Sequence, residues 1–121
     1  IVETGEHGFN NPKGLYIENK VDIILTGDSL TEGCCVQSDE TISAMLRKLN
    51  YNTISVGKGG NGSLIELASL NEYAEPLKPK IVLWLYYVND LSDLEHEMKS
   101  SILKKYLKNM RSSNKLYWAM P

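Results

Sequence analysis

A serine hydroxyl and several backbone or amide donors occur at spacings that would suit acyl transfer. Ser29 lies in Gly27–Gly33 (GDSLTEG), where glycine on both sides favours a tight turn that exposes the hydroxyl. Gly60 lies in the glycine-rich segment Gly57–Gly62, whose N–H groups can approach a ligand closely. Asn89 adds a neutral side-chain amide. A hydroxyl nucleophile with such donors is what a carbonyl group needs when it becomes an oxyanion, so these residues predict acyl-transfer chemistry.

Neighbouring residues are expected to support this site. Gly27 ends the apolar run that precedes the serine. Asp28 is expected to accept a hydrogen bond from the backbone of its own turn. Asp90 places a carboxylate beside the asparagine amide. Glu32 is interpreted as a solvated side chain. We therefore expect these residues to shape the turns, with the chemistry resting on the serine and the donors.

Four runs have the composition of β-strands, and the first three directly precede the segments just described. The runs are rich in β-branched and aromatic residues. They cover Val21–Thr26, Asn52–Val56, Ile81–Tyr87 and Lys115–Met120. The third run is apolar at every position, which predicts a central parallel strand covered on both faces.

Helical patterns separate these strands. After Asp39, apolar residues spaced along one helix face predict an inward stripe. Its members are Ile42, Met45, Leu46 and Leu49. Ser63 is predicted to cap the next helix, with Glu66 three positions on, and that helix should reach about Tyr73. A third helix is predicted from Asp93 to Met110. Its inward residues are Leu94, Met98, Ile102, Tyr106, Leu107 and Met110, and its solvated lysines are Lys99, Lys104, Lys105 and Lys108.

This alternation predicts an α/β fold in which helices flank a parallel sheet, within a single domain over residues 1–121. Residues 1–20 hold glycines, asparagines and Pro12 among few apolar positions, and they are expected to form an irregular lead-in. Ligands of such folds bind beyond the carboxyl ends of the strands. The segments that carry Ser29, Gly60 and Asn89 should therefore meet at one edge of the sheet.

The three segments, taken in order, resemble the sequence blocks of GDSL-type (SGNH) serine hydrolases. Gly27–Leu30 (GDSL) is similar to the first block, Ser55–Asn61 (SVGKGGN) to the second, and Asn89–Asp90 to the third. The resemblance implies a three-layer, flavodoxin-like α/β domain with a central parallel sheet. In this chain that domain would be partial, with the sheet truncated after the fourth strand.

The resemblance also implies roles for single residues. Ser29 would be the nucleophile, and Gly60 and Asn89 would form the oxyanion hole with the serine's own N–H group. The implied substrate is a small-molecule, carbohydrate or lipid ester, cleaved through an acyl-serine intermediate. We expect no metal and no cofactor.

The chain departs from the family pattern at several positions. Ser55 stands where asparagine is usual, and Tyr87 stands where the third block has glycine. The last family block, Asp-x-x-His, has no counterpart near the carboxyl end. Asp93–His96 matches it by letters but lies at the start of a predicted helix, and His7 lies in the lead-in. We therefore predict that this chain is weakly active or inactive as an esterase, because a serine hydroxyl needs a base.

Composition excludes several classes of partner. The net charge of −2 carries no basic excess of the kind that nucleic acid would require. No apolar run approaches the roughly 20 residues that span a bilayer. Cys34 and Cys35 are adjacent and form no disulfide framework, so they are interpreted as small thiols packed beside the serine turn. They assign no compartment, and no metal-ligand spacing is present.

Two other interpretations stay open on the sequence alone. Gly57–Gly62 matches G-x-G-x-x-G between a strand and a helix, as in dinucleotide-binding modules, but it follows the second strand and has no acidic residue about 20 positions later. The absent Asp-x-x-His block favours a non-catalytic relic that serves as an interaction domain. A truncated sheet would also leave apolar surface uncovered, which predicts self-association there.

Overall fold

The computed structural model describes residues 4–86 and 90–113, and it describes their side chains except at 90, 91 and 109–113. Three strands and five helices lie within these ranges. In chain order they are β1 (Ile23–Thr26), α1 (Ser29–Glu32), α2 (Ile42–Lys48), β2 (Thr53–Ser55), α3 (Ser63–Ser69), β3 (Ile81–Trp84), α4 (Asp90–Glu97) and α5 (Ser101–Ser113). A π-helical turn (Leu70–Ala74) and a 3-10 turn (Glu75–Leu77) continue α3.

The described strands form one parallel sheet in the order β2-β1-β3. Ile24 of β1 lies opposite Ile54 on one side and Val82 on the other. All four residues of β1 are buried, as a central strand of an α/β protein requires. The predicted α/β class with a parallel sheet is therefore confirmed. The predicted strand Lys115–Met120 lies outside the described residues.

The prediction that the third strand is central and covered on both faces is wrong for the described part of the chain. Among the described strands, β3 is the outer strand next to β1, and its alternate residues face solvent, with Ile81 50% exposed. The helices that follow, α4 and α5, pack mainly against α3. An unbroken apolar run indicates that a strand is hydrophobic, but it does not indicate which neighbouring elements cover the strand.

The lead-in is irregular, as predicted, yet it contributes to the core and closes an edge of the sheet. Phe9 packs in the core with Ile24 and Val56. Asn11 is fully buried, and its amide makes two 2.8 Å hydrogen bonds to Ser55, donating to the carbonyl and accepting from the N–H. The side chain thus pairs with the outer edge of β2 as a further strand would.

Replacing Asn11 with alanine should lower the free energy of unfolding by about 2 kcal/mol, because the Ser55 N–H and carbonyl would stay buried without these partners. Urea denaturation measures this loss. Asn71→Ala is the matched control, since that half-buried amide donates one hydrogen bond to Leu67. An Asn11 variant as stable as the control would contradict the edge-closing role.

The predicted inward stripe of α2 is wrong. Ile42, Met45 and Leu49 are exposed, whereas Ser43 and Ala44 are the buried residues of α2, which packs against β2. The Arg47 guanidinium donates to the Thr53 carbonyl of β2 at 2.9 Å, and this hydrogen bond helps to set the orientation of α2. Three apolar side chains are consequently left at the surface.

The predicted third helix is two helices. Ser100 interrupts it, and its hydroxyl accepts a hydrogen bond from the Leu103 N–H, as the N-cap of α5. Met98 and Ile102, both predicted to face inward, are exposed. The lysines Lys99, Lys104, Lys105 and Lys108 are all exposed, as predicted.

The predicted cap of α3 is also wrong. Gly62 is the N-cap residue, and no side chain from the helix's own first turn caps it. Glu97 of α4 supplies the cap instead, accepting hydrogen bonds from Gly62 N–H (2.9 Å), Leu64 N–H (3.0 Å) and Ile65 N–H (3.4 Å). Glu66, expected to complete a capping box, is fully buried and accepts a hydrogen bond from the indole N–H of Trp84.

Candidate active site

Ser29 is the first residue of α1, directly beyond the carboxyl end of the central strand. It is half-buried, and its N–H has no intrahelical acceptor because it lies in the first turn. Asp28 caps the helix by accepting a hydrogen bond from the Leu30 N–H at 3.2 Å, which confirms its expected local role. The turn therefore presents both the hydroxyl and the N–H of Ser29 at the carboxyl edge of the sheet.

Thr31 packs between the segments that follow β1 and β2. It is fully buried, and β-carbons built at Gly27 and Gly57 would overlap it. Ser55, the departure from the family's asparagine, also contributes to this junction. Its hydroxyl donates to the Thr31 carbonyl at 3.3 Å and accepts from the Gly57 N–H at 3.2 Å. Sequence reasoning missed this junction, although the two glycines were its signal.

The glycine-rich loop lies beside Ser29. A β-carbon at Gly59 would be 3.6 Å from the β-carbon of Ser29, and the Gly59 N–H donates to the Glu32 carboxylate at 3.2 Å. Glu32, interpreted as a solvated side chain, is partly exposed and also tethers the loop to α1 through this hydrogen bond. Gly60 follows in the left-handed region (φ 86°), and no acceptor among the described residues takes its N–H.

The third strand reaches the same edge of the sheet. The Leu85 N–H donates to the Thr26 carbonyl at 2.9 Å, and the Leu85 carbonyl would lie 3.0 Å from a β-carbon at Gly27. Asn89 lies outside the described residues, and Asp90 is described only as the first backbone position of α4. The structure thus brings together the segments of Ser29 and Gly60, while the position of Asn89 stays a prediction.

Neither histidine hydrogen-bonds to Ser29 in the described part of the chain. The His7 ring packs against the rings of Tyr16 and Tyr73, with centroids 4.7 and 5.0 Å apart. Burial, reinforced by the charge of Glu6, raises the pKa of Tyr16 to about 12, so this tyrosine stays protonated. His96 is exposed on α4. No described side chain hydrogen-bonds to the Ser29 hydroxyl, so residues 4–86 and 90–113 supply no base beside it.

The N-terminus of α3 is not available to a phosphate group. A dinucleotide-binding loop uses the N–H groups at this helix end to hold pyrophosphate. Here the buried carboxylate of Glu97 already accepts the N–H groups of Gly62, Leu64 and Ile65. This arrangement weakens the nucleotide-binding interpretation of Gly57–Gly62.

A cavity of about 160 Å³ opens beside Ser29, between α1 and α2. Cys34 and Cys35 lie on its wall with free thiols whose sulfur atoms are 3.0 Å apart. Both side chains are exposed, so the interpretation of packed thiols is wrong. The hydrogen bond from one thiol to the other raises the pKa of Cys34.

Comparison with protein-family models and with curated proteins gave no match. Within residues 4–86 and 90–113, no group of three His, Cys, Asp or Glu side chains is arranged to hold a metal ion. No helix in the same ranges is long and apolar enough to cross a membrane.

Proposed function

We propose that this chain carries the nucleophile and part of the oxyanion hole of an ester hydrolase similar to the GDSL-type enzymes, with a three-layer flavodoxin-like fold. The observation that carries the proposal is the placement of the Gly59–Gly60 loop against Ser29. A hydroxyl at a helix N-terminus and an N–H with no acceptor in the described residues lie on the same edge of the sheet.

The proposed reaction is acyl transfer to the serine. The Ser29 oxygen attacks the ester carbonyl, the alcohol leaves, and water then hydrolyses the acyl-serine. The N–H groups of Ser29 and Gly60 and the Asn89 amide would hold the oxyanion, and each such donor typically contributes about 3 kcal/mol to the transition state. The substrate class is a carboxylic ester of a small molecule, carbohydrate or lipid.

Activity should be weak, because no described base contacts Ser29. An oxyanion hole without its base leaves a rate enhancement of roughly 10³ over water. Imidazole added to the buffer should raise the rate at which Ser29 is acylated, since it can accept the hydroxyl proton.

A fluorophosphonate reagent tests the proposal. Prolonged incubation of the chain with the fluorophosphonate and excess imidazole should give a single adduct by intact-mass spectrometry. Peptide analysis should place this adduct on Ser29. Ser29→Ala should give no adduct, and Ser38→Ala should be labelled as fully as the native chain. An unmodified Ser29, or an adduct that persists in Ser29→Ala, would exclude the proposed role and favour a non-catalytic domain.

A further inference from the structure

The cavity beside Ser29 is lined mainly by apolar and thiol groups. Its wall includes Ser29, Leu30, Cys34, Cys35, Val36 and Ile42. The apolar members Leu30, Val36 and Ile42 are 40–60% exposed. Single exposed apolar side chains are common on protein surfaces, but these three surround one opening. Ile42 faces this opening because α2 turns Ser43 and Ala44 inward.

The charge of the lining favours a neutral ligand. Glu40 is the charged side chain among the lining residues, and no lysine or arginine is among them. An anionic headgroup would therefore find no cationic partner here. The raised pKa of Cys34 keeps its thiol neutral, and neutral thiols behave as small hydrophobic groups.

The volume sets the size of the ligand. An enclosed apolar cavity of about 150 Å³ holds a six-carbon molecule such as benzene, so an open cavity of similar volume can cover about that many carbons at most. The cavity beside Ser29, at about 160 Å³, is of that size. Because it opens to solvent, carbons beyond the sixth would gain little further burial.

From these three observations we infer that the cavity is the acyl subsite of Ser29 and accepts a straight acyl chain of about six carbons. The inference rests on the proposed function, since it assigns the acyl part of the ester cleaved there. The acyl carbon bonded to Ser29 would lie at the mouth of the cavity, with the chain against Val36 and Ile42.

A series of alkyl fluorophosphonates tests the inference. In each reaction the Ser29 oxygen bonds to phosphorus, fluoride leaves, and imidazole takes the proton. The hexyl reagent should label Ser29 roughly tenfold faster than the methyl reagent, and the dodecyl reagent should be no faster than the hexyl one. Ile42→Trp should fill the cavity and remove the hexyl advantage.

Met45→Trp is the matched control. Met45 lies on the same helix and is 51% exposed against 44% for Ile42, but it does not line the cavity. It should keep the tenfold hexyl advantage. Equal methyl and hexyl rates, or a hexyl advantage that survives Ile42→Trp, would overturn the acyl subsite while Ser29 remained the labelled nucleophile. Absence of any Ser29 adduct would instead overturn the proposed function and this inference with it.

Discussion

Replacing Gly27 with alanine should lower the free energy of unfolding by about 3 kcal/mol and the Tm by roughly 10 °C. The added β-carbon would overlap Thr31 Oγ1 and would lie 3.0 Å from the Leu85 carbonyl. Both neighbours are fixed, since Thr31 is fully buried in α1 and the Leu85 N–H is bonded to β1. The core cannot relax around the methyl group without moving a strand or a helix.

Calorimetry or urea denaturation would measure this loss. Gly59→Ala is the matched control, because a β-carbon there meets only ordinary contacts at 3.5 and 3.6 Å and should cost little stability. Thr31→Ala in the Gly27→Ala background should recover part of the loss by removing the overlapping oxygen. A Gly27→Ala protein as stable as the Gly59→Ala control would show that the junction is loosely packed.

Replacing Glu97 with alanine should cost about 3 kcal/mol. The 5%-exposed carboxylate accepts three N–H groups at the start of α3, and hydrogen bonds to charged groups contribute about 1.5–3 kcal/mol. Its removal leaves these donors buried without this acceptor and withdraws a negative charge from the positive end of the helix dipole.

Amide hydrogen exchange would localise the effect. In Glu97→Ala, the amides of Gly62, Leu64 and Ile65 should exchange at least tenfold faster than in the native chain. Glu97→Gln keeps the side-chain volume and one acceptor oxygen, so it should lose about half as much stability. Glu95→Ala, at an exposed position of the same helix, should change neither property. Unchanged exchange in Glu97→Ala would contradict the capping role.

The strands and the turn residues could be predicted because their signals are local. β-branched runs closed by glycine located β1 and β2 to within two residues, and the order of the segments placed Ser29 and Gly60 on one edge of the sheet. Asp28 was predicted to accept a hydrogen bond from the backbone of its own turn, and such a bond depends only on residues that are neighbours in the chain.

The errors concern partners that are distant in sequence. Glu97 caps α3 from 35 residues away, and Asn11 closes β2 from 44 residues away. Periodicity also failed for α2, where Ser43 and Ala44 are buried while most of the apolar stripe is exposed. Hydrophobic patterns report which residues could be buried, whereas tertiary packing decides which of them are.

The pairing of Asn11 with Ser55 bears on how shortened versions of this protein should be designed. A truncation that starts at β1 would discard the amide that occupies the open side of β2 and the phenyl ring of Phe9. The bared strand would then be a template for intermolecular pairing, and the product should precipitate or form aggregates. Expression trials should therefore retain the polypeptide from Gly5 onward, even though that stretch holds neither a helix nor a named strand.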